Sequence, residues 1–417
     1  MQRIYSTKGV VIAAAVASAI AVVPALAQNV TLDKNVTVNG AGSSFMSNFV
    51  EQCKADVKNE FGINVAYQPT GSGAGRSGFI SGTLDWAGSD VAFTSAEEAA
   101  VKARGFVYIP ITSGGIAVMY RVPGVTDLKL TGPTIAKIFA GQVQKWNDDA
   151  IARDNSGVSL PNEVIKVIVR SDSSGTSNVF SDYLASAGKG AWTKGAQSNF
   201  PVPAGNGIAQ RGSDGVANYV AGEQGNFAIT YAETSFAAER KLSIVKVVNT
   251  AGNAVTPDPA NVAEAMSAAA VNDDGTLLLN FNAPGAKAYP ISTTAYAILP
   301  TKLDANKGDV LRTFMSYSLG ACQKKAEKAG YAALPPNILK VGFDALAKVN
   351  PGSGPVPTVD AGGGAATVTT VGGGAVATTT AKPGATTAAP TTVAPPTTKS
   401  TTKSTTKTTK KTKKAKK

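Results

Sequence analysis

Three short Gly/Ser-rich turns constrain this chain more than any other feature: Gly40-Ala-Gly-Ser-Ser-Phe45, Thr70-Gly-Ser-Gly-Ala-Gly75 and Arg170-Ser-Asp-Ser-Ser-Gly-Thr176. Each follows an extended, β-branched run (Val36–Val38, Ile63–Tyr67 and Val164–Val169). Each opens a segment of helical period (Phe45–Phe61, Arg76–Ile80 and Ser177–Ala185). Strand, tight turn and helix in alternation is the pattern of open α/β sheets. Such a turn also aims backbone N–H groups, hydroxyls and a positive helix end at one point, which suits an anion. One such turn reads as an ordinary connection, because Gly and Ser are common turn residues. Three in one chain, the last carrying Arg170 and Asp172, point to an oxyanion site.

The ends of the chain read differently from its middle. Arg3 and Lys8 precede an apolar stretch from Gly9 to Val23, and Ala25-Leu-Ala27 forms a small-residue cleavage site. Residues 1–27 are therefore expected to be a secretory signal peptide, with an uncleaved N-terminal anchor as the alternative. No cysteine lies near the cleavage site, so a lipid anchor there is not expected. The mature protein is expected in the periplasmic space or on the outer face of the envelope. Its two cysteines, Cys53 and Cys322, then meet oxidising conditions and form either a disulfide or two buried thiols.

The formal charge of +12 is concentrated at the ends. Arg3 and Lys8 carry two of these charges, and ten Lys against Asp360 give nine more from Pro351 onward, which leaves one for residues 28–350. A nearly neutral body excludes the electrostatics of a nucleic-acid-binding core. Residues 351–417 are rich in Gly, Ala, Thr and Pro and lack aromatics, so a disordered tail is expected. It reads either as a solubilising spacer or as a basic arm for an anionic cell-wall polymer. The absence of histidine removes Ser-His-Asp and Cys-His nucleophilic machinery and His metal sites. No catalytic residue, metal or cofactor is expected.

The folded part exceeds the usual size of one hydrophobic core, so two lobes are expected. Strands are expected at Val107–Thr112, Gly115–Tyr120 and Ala295–Leu299, and helices at Gly132–Phe139 and Asp309–Lys328. Pro110 and Pro290 stand in similar settings and mark where the chain passes between lobes. One lobe is then 28–114 with 292–350, and the other is 115–291. Ligands in such sheets bind at the carboxyl ends of strands, where the Gly/Ser turns fall.

The third turn carries the most chemistry. Gly175 permits close backbone approach, Ser174 and Thr176 offer hydroxyls, and Arg170 can fork onto two oxygens of a tetrahedral anion. Asp172 discriminates between anions, because a carboxylate beside a bound oxyanion is repulsive unless the anion has a proton to donate. Monohydrogen and dihydrogen phosphate have one; sulfate at neutral pH does not. Asp172 can equally be a salt-bridge partner of Arg170. Asp90, in Asp85-Trp-Ala-Gly-Ser-Asp90, is a second carboxylate candidate, or a turn aspartate.

These turns, with Tyr67-Gln-Pro-Thr-Gly-Ser-Gly73, Asp85-Trp-Ala-Gly-Ser-Asp90, Lys145-Trp-Asn-Asp148 and Pro290-Ile-Ser-Thr-Thr294, give the chain from Val36 to Val349 a family likeness. It resembles the extracytoplasmic phosphate-binding proteins of Pst-type phosphate ABC transporters. The resemblance implies a two-lobed type II periplasmic-binding-protein fold with the ligand cleft between lobes. It implies phosphate contacts from Ser44, Phe45 and Ser72, an acceptor at Asp90, and further contacts from Arg170, Asp172, Ser174, Gly175 and Thr176. It also implies delivery to a membrane permease and its ATPase. Ser44 stands where many members have Thr and keeps the hydroxyl. Two crossings, near Pro110 and Pro290, return the chain to the first lobe before Cys322, so Cys53 and Cys322 both belong to that lobe and are expected to be joined. A receptor for inorganic phosphate is thus the leading function. A receptor for sulfate or molybdate and an envelope-associated structural or adhesive protein are the alternatives.

Overall fold

A computed structural model describes residues 32–267, 269–351, 357–359 and 368–370 of the chain. The expected signal peptide lies outside the described residues. Within the stretch expected to be disordered, Pro357–Val359 and Val368–Thr370 pair as short antiparallel strands. The remainder of that stretch lies outside the described residues.

The β-branched runs before the first two turns become adjacent strands. β1 (Thr37–Gly42) pairs in parallel with β2 (Asn64–Gln68) on one side and β3 (Trp86–Ser89) on the other. Parallel neighbours need crossover connections, and α1 (Ser47–Phe61) and α2 (Ser72–Ile80) supply them. The strand Ser292–Pro300 continues the sheet antiparallel to β3, and β4 (Phe106–Arg121) lies antiparallel beside it. Beyond β4 come Ala228–Glu233, antiparallel to it, then Lys166–Arg170 and Gly207–Gln210 in parallel succession. With Ser243–Ile244 on β4, the sheet has nine strands.

The patterning predicts two strands, Val107–Thr112 and Gly115–Tyr120, but the structure has one 16-residue strand. Its two halves have different partners. Phe106 to Gly115 pairs with Ser292–Pro300, whereas Ile116 to Arg121 pairs with Ala228–Glu233. Ser113 and Gly114 read as a break because no large apolar side chain marks them. They stay extended because Ser292, Thr293 and Thr294 pair with Gly115, Gly114 and Ser113. A 2.6 Å Ser113–Thr294 hydroxyl contact adds to the pairing. The fold is thus two groups of strands joined through a shared β4.

The helix expected at Asp309–Lys328 runs instead over Ala305–Leu319. The Asp304 side chain caps it by accepting from the N–H groups of Asn306 and Lys307. It stops at Gly320, whose backbone (φ −104°, ψ −100°) leaves the helical region, and 3₁₀ turns follow at Ala321–Lys325 and Glu327–Ala329. Cys322 sits in the first of these turns and is disulfide-bonded to Cys53 of α1, with the Cα atoms 5.8 Å apart. The core on this side centres on Trp86, stacked on Tyr67 at 5.0 Å and near Phe314 at 5.8 Å. On the other side Phe180 stacks on Tyr231 at 4.3 Å, beside Phe139 and Phe200.

Candidate functional site

The three Gly/Ser turns meet. The first, at the end of β1, leaves Ser43, Ser44 and Phe45 just ahead of α1, where the Phe45 N–H donates to Ser43 Oγ at 3.0 Å. The second enters α2 through Gly71, whose φ of +98° suits glycine alone. A Cβ on Gly71 would also strike the Asp172 carboxylate. The third enters the helix Gly175–Ala187, and Ser174 caps it by accepting the Ser177 N–H at 3.1 Å. That cap occupies one lone pair of Ser174 and leaves its O–H free to donate. Gly175 presses across the junction so closely that a Cβ would lie 2.6 Å from Ser72 Oγ and 2.8 Å from Asp90 Cβ.

Two carboxylates occupy this junction in opposite electrostatic settings. Asp90 follows β3 and is buried. Ser43 Oγ donates to its Oδ1, Thr176 Oγ1 donates to its Oδ2 at 2.9 Å, and its own N–H donates to Ser72 Oγ at 3.4 Å. Burial pushes its pKa up, against the hydroxyls of Ser43 and Thr176 and the charges of Arg170 and Arg76. Asp172 takes both arms of Arg170: Nε donates to Oδ1 at 2.7 Å and Nη2 donates to Oδ2. Gly212 N–H adds a 2.9 Å bond to Oδ1. Burial would raise the pKa of Asp172, but the Arg170 hydrogen bonds and charge with the Gly212 N–H outweigh it and hold the carboxyl below its ordinary value. The salt-bridge role foreseen for Asp172 is therefore realised.

Ser44, Phe45, Ser72, Asp90, Arg170, Asp172, Ser174, Gly175 and Thr176 all lie at this junction. Other motif residues do not. Trp146 is a core side chain whose Nε1 donates to the Phe227 carbonyl at 3.0 Å, and Asp148 caps the helix Asp149–Asp154. Three participants have no site role in the sequence reading, although Ser43 lies inside the first turn and Arg76 directly follows the second. Ser43 holds Asp90, and buried Arg76, paired with Glu97 at 3.0 Å, sets a second cation near it. Ser213 bonds both Ser44 and Arg170. A signal for Ser213 existed: Gln210-Arg-Gly-Ser-Asp-Gly215 is a fourth Gly/Ser turn between a strand, Gly207–Gln210, and a helix, Gly212–Ala221. The strand is short and contains no run of apolar residues, so its periodicity is weak.

Hydroxyl and backbone donors gather around the Arg170 guanidinium, a second guanidinium, Arg76, lies near Asp90, and one buried carboxylate faces the hydroxyls. Such a site suits a tetrahedral oxyanion that carries a proton for Asp90 to accept. Comparison with known proteins gives the same direction. Residues 27–321 match a family model described as a PBP superfamily domain. The chain is 34% identical over 315 residues to the phosphate-binding protein PstS of Xylella fastidiosa, covering 74% of this chain and 84% of that protein. It is 36% identical over 323 residues to phosphate-binding protein PstS 2 of Mycobacterium tuberculosis, covering 72% and 84%. Among solved structures, a high-affinity periplasmic phosphate-binding protein bound with phosphate aligns with a TM-score of 0.61 at 22% identity, over 73% of this chain and 92% of that one. A phosphate-binding protein from Stenotrophomonas maltophilia aligns at 0.59 and 18% identity, over 76% and 98%. At these identities the structures speak for the fold.

Proposed function

We infer the function from one premise: the chain belongs to the family of Pst-type phosphate-binding proteins. It is a receptor that binds inorganic phosphate and hands it to a phosphate ABC importer. The observation that carries this is the pair of carboxylates at one junction, with Asp172 paired to the Arg170 guanidinium and Asp90 buried among hydroxyls. In this reading Ser44, Phe45, Ser72, Ser174, Gly175 and Thr176 donate to phosphate, Arg170 supplies the positive charge, and Asp90 accepts the phosphate proton. Asp172 fixes the guanidinium. The protein acts as a carrier and not as an enzyme, with the importer's permease and ATPase as partners.

Residues 28–114 with 292–350 form one lobe and 115–291 the other, closing on phosphate between them. The change of partner along β4 between Gly115 and Ile116 supports this division. Export by the N-terminal segment places the receptor outside the cytoplasmic membrane. Among the described residues no helix is long and apolar enough to cross a membrane. Isothermal titration of the mature chain with phosphate, repeated in excess sulfate, tests the site. Tight phosphate binding undisturbed by sulfate is expected, and equal affinities would reject the role of Asp90.

The ten Lys of the C-terminal stretch are read as a basic arm for an anionic envelope polymer. Such attraction is screened over about 8 Å at physiological ionic strength. Retention on the envelope should fall as salt is raised, and on deletion of residues 371–417, with phosphate affinity unchanged. Retention indifferent to salt would reject the electrostatic arm.

A further inference from the structure

Ser213 lies fully buried near the start of the helix Gly212–Ala221, in the fourth Gly/Ser turn. Its Oγ is 3.3 Å from Arg170 Nη1 and 3.0 Å from Ser44 Oγ, and its backbone N–H donates to Ser44 Oγ at 3.1 Å. We propose that Ser213 is a positioning residue that relays the Arg170 guanidinium to Ser44 and makes the two serines a donor to the bound anion. The proposal rests on the phosphate reading above, in which Ser44 is the hydroxyl that touches the ligand.

Proton counting supports it. A guanidinium and a backbone N–H can only donate, and each hydroxyl has one proton and two lone pairs. Arg170 therefore fills one lone pair of Ser213, and the Ser213 N–H fills one of Ser44. The two serines hold two protons between them and share one, so one O–H is left to point onward. With Ser44 against phosphate, the donors run from Arg170 N–H through Ser213 O–H to Ser44 O–H and an unprotonated phosphate oxygen. The charge at the head of this chain polarises each bond after it. The contact also joins the two groups of strands. Ser44 follows β1, whereas Arg170 ends one strand beyond β4 and Ser213 follows another, so the relay assembles as the lobes close.

The test is a double-mutant cycle on phosphate affinity by isothermal titration, using wild type, Ser213→Ala, Ser44→Ala and the double variant. Ser213→Ala should weaken phosphate binding about tenfold, the cost of one charge-assisted hydrogen bond. In the Ser44→Ala background it should cost nothing more, because the relay then ends on no ligand. The thermal midpoint without phosphate should not change. Ser213→Cys, close in size but a weak donor, should show an intermediate loss and serves the same cycle if the alanine variant folds poorly. Additive losses, or unchanged affinity with a lowered midpoint, would overturn the relay. A wild-type chain that binds no phosphate would overturn the receptor reading and the relay together, whereas additive losses in a phosphate-binding wild type overturn the relay alone.

Discussion

Asp90 and Asp172 show how one residue type serves two ends. Asp172 lies against a guanidinium and stays ionised, so it can lock Arg170 but has little capacity left for another proton. Asp90 is buried with hydroxyl donors, and burial raises its pKa, which suits a group whose partner is a proton-bearing ligand. Asp90→Asn keeps the shape but turns one acceptor into an amide donor. Phosphate affinity should fall by roughly ten- to a hundredfold, the range for a lost bond to a charged group, and sulfate should begin to bind. Competitive titration with the two anions reads both effects, and sulfate binding that stays undetectable with phosphate unaffected would remove Asp90 from the site.

At the scale of elements, the same device recurs: a strand ends, a Gly/Ser turn follows, and a helix starts. The strand Ala228–Glu233 ends differently. Its last residue, Glu233, is fully buried and caps the helix Thr234–Arg240, with both carboxyl oxygens accepting the Ser235 N–H at 3.0 Å. Asn48 of α1 donates to Ser235 Oγ at 2.8 Å, and the Tyr331 hydroxyl, near Glu233, donates to the Phe45 carbonyl at 2.6 Å. Burial pushes the Glu233 pKa from 4.5 up to about 8, against the Ser235 bonds. The folded state thus holds this proton more tightly than the unfolded chain does. Its contribution to stability is fully present below pH 4.5 and is lost as pH rises through about 8. Urea unfolding of the wild type should show stability declining across that window. Glu233→Gln, which cannot ionise, should show a clearly smaller decline; identical pH profiles would mean that Glu233 titrates normally.

For the whole molecule, the disulfide and the shared β4 do opposite things. Cys53–Cys322 joins positions separated by 269 residues and ties α1 to the 3₁₀ turn that follows the helix Ala305–Leu319, both on the β1 side of the sheet. Both its ends lie on that one side, so the bond does not tie the two groups of strands to each other. Replacing both cysteines by alanine should lower stability by about 5–6 kcal/mol on the chain-entropy model. Phosphate affinity of the folded protein should be unchanged. Denaturant unfolding and titration of the same preparation separate the two effects, and a loss of affinity in a fully folded variant would tie the disulfide to the site.

The sequence alone carried the site's chemistry, because its parts are local. A Gly/Ser turn between a β-branched run and a helical run is written in consecutive residues, and backbone sterics and helix-end donors act within a few residues. The turns that carry Ser72, Arg170, Ser174, Gly175 and Thr176 were legible for that reason, and the helix Gly132–Phe139 appeared with its Thr131 cap. Long-range pairing was not legible. That β4 is one strand depends on Ser292, Thr293 and Thr294 opposite residues 113–115. The roles of Ser43 and Ser213 depend on partners 47 and 169 residues away. A hydroxyl looks the same in sequence whether it faces water, a helix end or a buried carboxylate. Only the packing of the two groups of strands decides which of these it meets, and with it the pKa of Asp90 and the direction in which Ser44 can donate.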